Sequence, residues 1–159
     1  MTDESLVTAG PARVVARLAK QVERALAEVD LSLAQYRLIG NLGDGPSLAS
    51  TLAERLIVSR PSVTALADGL VDRGLVSRER AHDRRQVMHV LTEDGRKTLA
   101  AADEAIERRL ASLAEHISDP DKTRAYKGLD AWGRALDLYR TEVVKKTATP
   151  QPKVEAPSR

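Results

Sequence analysis

The side chains most able to do chemistry are crowded into one short stretch. Between Arg73 and His89 lie five arginines (Arg73, Arg78, Arg80, Arg84, Arg85) against two acids, Glu79 and Asp83. Two of the three histidines, His82 and His89, fall there as well. The formal net charge of the whole chain is only +2, so this is a local concentration. Guanidinium groups gathered on one small element are the electrostatic footprint of a phosphate-facing surface. The plain alternative is a solvated, arginine-rich hairpin. No nucleophile–base pair and no glycine-rich phosphate loop stands out, which makes an enzyme the weakest reading. His82, His89 and His116 have no cysteine to join them in a ligand set, so no metal and no cofactor is expected. Asp103, Glu104 and Glu107 read as a solvated helix face.

The elements that must position these arginines follow from apolar spacing. From Pro11 to Val29 the residues Val14, Val15, Leu18, Val22, Leu26 and Val29 recur at helical steps, and Leu33 to Leu42 predicts a second helix before Gly43-Asp44-Gly45-Pro46. Ser47 is the expected N-cap of a third helix ending near Leu56, and Ser59 of a fourth running to Arg73. Val63, Leu66, Leu70 and Val71 supply the buried side of that fourth helix; Arg60, Ser62, Thr64, Ala65 and Asp68 remain outside. Leu75–Arg80 and Gln86–Leu91 then read as two strands around a polar turn.

Two short helices, a tight turn and a hairpin with His82, Asp83, Arg84 and Arg85 at its tip form the plan of a winged helix-turn-helix. Thr92 is the expected cap of a long helix from Glu93 to about Ile117, and a last helix is predicted from about Asp121 to Lys145. The fold class is therefore mainly α with a small β-hairpin wing. Residues 31–92 form the DNA-binding lobe, 11–30 and 93–146 a helical dimerisation lobe, and 147–159 a disordered tail.

Cysteine is absent, excluding disulfides and thiol ligands. The N-terminal MTDESLVTAGPARVV has no basic region followed by an apolar core, so no signal peptide is expected. No apolar run approaches the roughly 18 residues of a membrane span. A cytoplasmic location and no membrane partner are expected.

The helix order resembles the MarR family of bacterial transcription regulators over about residues 11–145. The segments carrying the likeness are LSLAQYRLIGNL, then LASTLAERLIVSRPSVTALADGLVDRGLVSR, then DRRQVMHVLTEDG. The most specific part is Asp83-Arg84-Arg85 followed by a strand and Leu-Thr-x-x-Gly. The resemblance implies that the fourth helix reads DNA, with Ser59, Arg60, Ser62, Val63 and Thr64 facing base edges and phosphates. It implies that Arg85 enters the minor groove beside Arg84, braced by Asp83. Arg78 and Arg80, at the wing base, suit phosphate contacts, with surface pairing to Glu79 or Asp72 as the alternative. Ala65 departs from the family, many of whose members carry a long polar residue there, and that thins the expected contacts.

The resemblance also implies a homodimer on a pseudo-palindromic operator in double-stranded DNA. The chain supports this independently, because Leu113, Ile117, Leu129, Trp132, Leu136 and Tyr139 form apolar faces too large for a lone winged domain to cover. A small-molecule effector is implied in the cleft between lobes, with Arg17, Leu18, Tyr36, Ile39 and Leu99 as walls. Arg17 and Tyr36 would orient an anionic or phenolic ligand there. The leading functional reading is a repressor released by that effector. The alternatives are a DNA binder or activator without a ligand, and a winged module that docks on protein.

Overall fold

The computed structural model describes residues 10–80 and 86–148. The elements are α1 (Pro11–Ala27), α2 (Leu33–Gly43), β1 (Ser47–Leu48), α3 (Ala49–Leu56), α4 (Arg60–Asp72), β2 (Val76–Arg80), β3 (Val87–Leu91), α5 (Glu93–Ala114) and α6 (Asp119–Ala148). This is the mainly helical architecture with a β-hairpin that the sequence predicts. The sheet has the order β1-β3-β2, both pairings antiparallel.

Local signals explain most boundaries. The Ser32 hydroxyl accepts from the Gln35 N–H at 3.1 Å, while the Gln35 side chain accepts from the Ser32 N–H at 2.9 Å, a complete capping box at the start of α2. Ser59 and Thr92 cap α4 and α5 by the same Ncap-to-N3 bond. Ser47 does not cap α3. It lies in β1 opposite His89, and α3 starts two residues later with Leu48 at its cap position and no side-chain bond. The strand wins because Ser47 and Leu48 add a third row to the hairpin.

Three helix ends adopt one plan. At α4, Gly74 (φ 71°) donates to the Val71 carbonyl and Leu75 to that of Leu70, both at 2.9 Å. At α3 the same left-handed position is held by Ile57 (φ 57°), with Val58 donating to the Ala53 carbonyl at 3.0 Å. At α1 it is Asp30 (φ 55°), with Leu31 donating to Leu26.

The core sits around α2, which packs on α3, α4 and α5, while α1 lies along α5. Leu26, Leu38, Ile39, Leu52, Val63, Leu70 and Val76 are fully buried. Burying a side chain of that size contributes about 1.5–3 kcal/mol. Gly95 seals the join between hairpin and α5. A Cβ there would be driven into the Leu75 carbonyl and meet Leu91 Cδ1 at 2.6 Å, which accounts physically for the glycine of Leu-Thr-x-x-Gly.

Residues up to 116 form one compact unit and those from 117 a second. Within the second, α6 starts two residues before the predicted point, with Pro120 accommodated in its first turn. Among the described residues, no helix is long and apolar enough to cross a membrane.

Candidate nucleic-acid interface

The geometry of α4 decides which side chains are free to touch a ligand. At 100° per residue, Val63, Ala67 and Leu70 fall on one face, and all three are fully buried. Val63 is therefore a core residue and no base-edge contact, which corrects the sequence expectation. The opposite line runs Pro61, Ala65, Asp68 and Asp72, all exposed.

Ser59, Arg60 and Ser62 stand exposed at the N-terminus of α4. The Ser59 and Ser62 hydroxyls lie 2.7 Å apart in a mutual hydrogen bond. The Thr64 hydroxyl donates to the Arg60 carbonyl at 3.1 Å, so its proton is used while its oxygen can still accept. Arg60 is the first residue of α4, at the positive end of the helix dipole, and has no acidic partner among the described residues. Pro61 has no N–H, and the N–H groups of Ser62 and Val63 are taken by the Ser59 hydroxyl and carbonyl, so an anion approaching this end meets the hydroxyls and the guanidinium.

The hairpin sits beside this helix. Arg80 is exposed and likewise lacks an acidic partner among the described residues. Arg78 does not; its guanidinium donates to the Asp68 carboxylate on α4. The sequence offered pairing with Glu79 or Asp72 as the alternative to a phosphate contact; the carboxylate that pairs with Arg78 is instead that of Asp68. Asp83, Arg84 and Arg85, the expected wing-tip contacts, lie outside the described residues.

Two more arginines brace the reading head. Arg73, at the end of α4, donates to the Asp30 carbonyl at 2.7 Å. Arg37 on α2 donates to the Leu56 carbonyl at 3.1 Å and so closes the end of α3. His89, which the sequence offers only as a histidine of the basic stretch and a metal ligand without partners, is a buried residue of the hairpin. It is 5% exposed on β3, with Nδ1 buried and without a hydrogen-bond partner. Burial first, and then the Arg78 guanidinium, hold it below the ordinary imidazole range, against an opposing hydrogen bond with the Ser47 backbone and the Asp68 charge.

A sequence model of the MarR family matches residues 29–86. YfiV of Bacillus subtilis (strain 168), described as an uncharacterized HTH-type transcriptional regulator, is 31% identical over 117 residues, spanning 72% of this chain and 73% of that one. The chain belongs to the MarR family. It is a transcriptional regulator with a DNA-binding winged helix and not an enzyme. Apo MarR of E. coli shares the fold, with a TM-score of 0.65 at 19% identity over 77% of this chain and 96% of that one. The repressor CouR, solved on a 23-mer DNA duplex, gives 0.64 at 29% identity over 77% and 88%.

The effector walls implied by MarR resemblance fare unevenly. Ile39 is fully buried in the core and lines no open cleft, a correction to the sequence expectation. Leu18 and Leu99 are half-buried, and Arg17 is exposed. The Tyr36 hydroxyl donates to Asp103 Oδ1 on α5 at 2.7 Å. Burial, that bond and the charges of Asp103 and Glu107 push its pKa far up. An anionic ligand at Tyr36 would meet carboxylates, so the expected anion-orienting role is not supported. A cavity of about 150 Å³ does occur elsewhere, between Glu28, Ala105, Arg108, Arg109 and Ser112. None of the five expected residues lines it.

Proposed function

We propose that the protein is a homodimeric, sequence-specific repressor that occupies a pseudo-palindromic promoter operator and leaves it when a small-molecule effector binds. The observation that carries the DNA part is the N-terminus of α4, where Ser59, Arg60 and Ser62 are exposed and Arg60 has no acidic partner among the described residues. Arg60 reads a guanine bidentately, the hydroxyls serve bases or phosphates, and Arg80 holds a phosphate from the wing base. CouR bound to a DNA duplex, at 29% identity, supports this reading. Dimerisation is supported by the apolar side of α6, where Leu129, Trp132, Leu136 and Tyr139 are all exposed in the single chain. Residues 11–30 and 93–146 supply the dimer lobe in this reading.

An effector releases DNA only by binding the DNA-incompetent arrangement more tightly. The Tyr36–Asp103 bond and the burial of Ile39 favour a second reading, in which DNA binding is constitutive and no ligand enters that cleft. Fluorescence anisotropy with the DNA upstream of the gene, against scrambled DNA over a salt series, tests the proposal. The expected result is salt-sensitive, selective binding by two subunits per site. Equal affinity for scrambled DNA would remove sequence-specific repression.

A further inference from the structure

The inner face of the hairpin changes character along its length. Val76 opposite Leu91 is buried core. The next pair on that face is Arg78 opposite His89, and beyond it Arg80 opposite Val87 is exposed. His89 thus occupies the last buried rung, with Ser47 on β1 to one side and Arg78 on β2 to the other. Directly paired residues on one sheet face hold their Cβ atoms roughly 4.5–5.5 Å apart. The Arg78 guanidinium reaches from this rung to Asp68 on α4. Among the described residues it is the ion pair that ties the recognition helix to the wing. The charged groups facing His89 are therefore Arg78 from β2 and Asp68 from α4; β1 brings the uncharged Ser47.

We propose that His89 is a positioning residue for DNA reading: as a neutral imidazole it supports the Arg78–Asp68 clasp, and on protonation it breaks that clasp and loosens the wing from α4. The proposal rests on the DNA-binding reading above. A buried imidazolium would place a second cation against the Arg78 guanidinium, and both would then compete for one carboxylate. The two elements that must reach adjacent grooves would lose their fixed spacing, and the preorganisation behind selectivity with it. The direction of the titration agrees. His89 sits below its unfolded value near 6.5, so between the two values the unfolded chain binds more protons. The contribution is complete above about pH 6.5 and is lost as pH falls through the native value.

The test follows selectivity, because general attraction to DNA strengthens as any histidine gains charge. The ratio of operator to scrambled-DNA affinity is measured at fixed salt at pH 7.5 and 5.5. A His82→Gln background removes the wing-tip imidazole. The ratio should fall by about five-fold or more with His89 present, and stay level in His89→Val and His89→Gln. Asp68→Asn should lower it at both pH values. Thermal unfolding from pH 8 to 5 without DNA should show an acid-side loss in the parent that His89→Val lacks. A level parent ratio, or an equal fall in both His89 variants, overturns the proposal. Failure of every form to select DNA at pH 7.5 instead sinks the DNA reading and this role with it, while the unfolding series still reports whether His89 titrates.

Discussion

Ile57 is a single residue out of place by ordinary rules. It is β-branched, holds the left-handed conformation at φ 57°, and leaves its side chain 75% exposed. That conformation costs an L-residue about 1–2 kcal/mol, and an exposed side chain recovers little through burial. Glycine relieves the strain but loses about 0.5–1 kcal/mol to the unfolded chain. Ile57→Gly should therefore raise stability by about 1 kcal/mol, or a few degrees in Tm. Urea unfolding that shows no gain would mean the α3–α4 turn relaxes without help. Gly95→Ala should act oppositely, costing about 3 kcal/mol, because a methyl has the Leu75 backbone carbonyl in its path. A variant of unchanged stability would show that the α5 start can shift. The caps Ser59 and Thr92 were legible because a cap reaches only three residues along the chain, whereas Ser47, expected as a third, is claimed by β1. The roles of Asp68 and His89 were not legible, since they depend on β2 being laid against α4 and paired with β3, which local spacing does not encode.

At the scale of elements, α4 and the hairpin divide the work of recognition. Arg60, at the helix start, is placed for bases, whereas Arg80, on the strand, is placed for the backbone. Arg60→Ala should cost about 1–3 kcal/mol at the operator and relax preference at one base pair. Arg80→Ala should weaken all DNA alike and lower the salt slope by about one. Anisotropy with operator variants over a salt series separates these, and identical behaviour of the two variants would erase the division. The helices and both hairpin strands were legible from apolar periodicity. β1 was not, because two residues, Ser47 and Leu48, are too few to show alternation. The sequence also placed Val63 on both the buried and the reading side of α4; packing against the core resolves that in favour of burial.

At the scale of the whole molecule, α6 sets the remaining problem. It runs for 30 residues, and Tyr126, Leu129, Trp132, Leu136, Leu138 and Tyr139 are all exposed along it. Leu129, Trp132, Leu136 and Tyr139 step by three and four, the spacing of a seam between packed helices. Gly128 and Gly133 lie within the helix with nothing near their would-be Cβ positions. Each costs about 0.5–1 kcal/mol relative to alanine in a lone helix. A long helix with internal glycines and an uncovered apolar seam gains its stability from a surface that buries it, and the proposed second copy supplies one. Leu136→Asp puts a charge in the middle of that seam, where an unpaired buried carboxylate is strongly disfavoured. The variant should be monomeric by light scattering, and the emission of Trp132, the single tryptophan of the chain, should shift to the red as water reaches it. Operator affinity should fall because one winged lobe then meets only one half-site. A dimeric Leu136→Asp protein with unchanged emission would place the subunit contact elsewhere than on this seam.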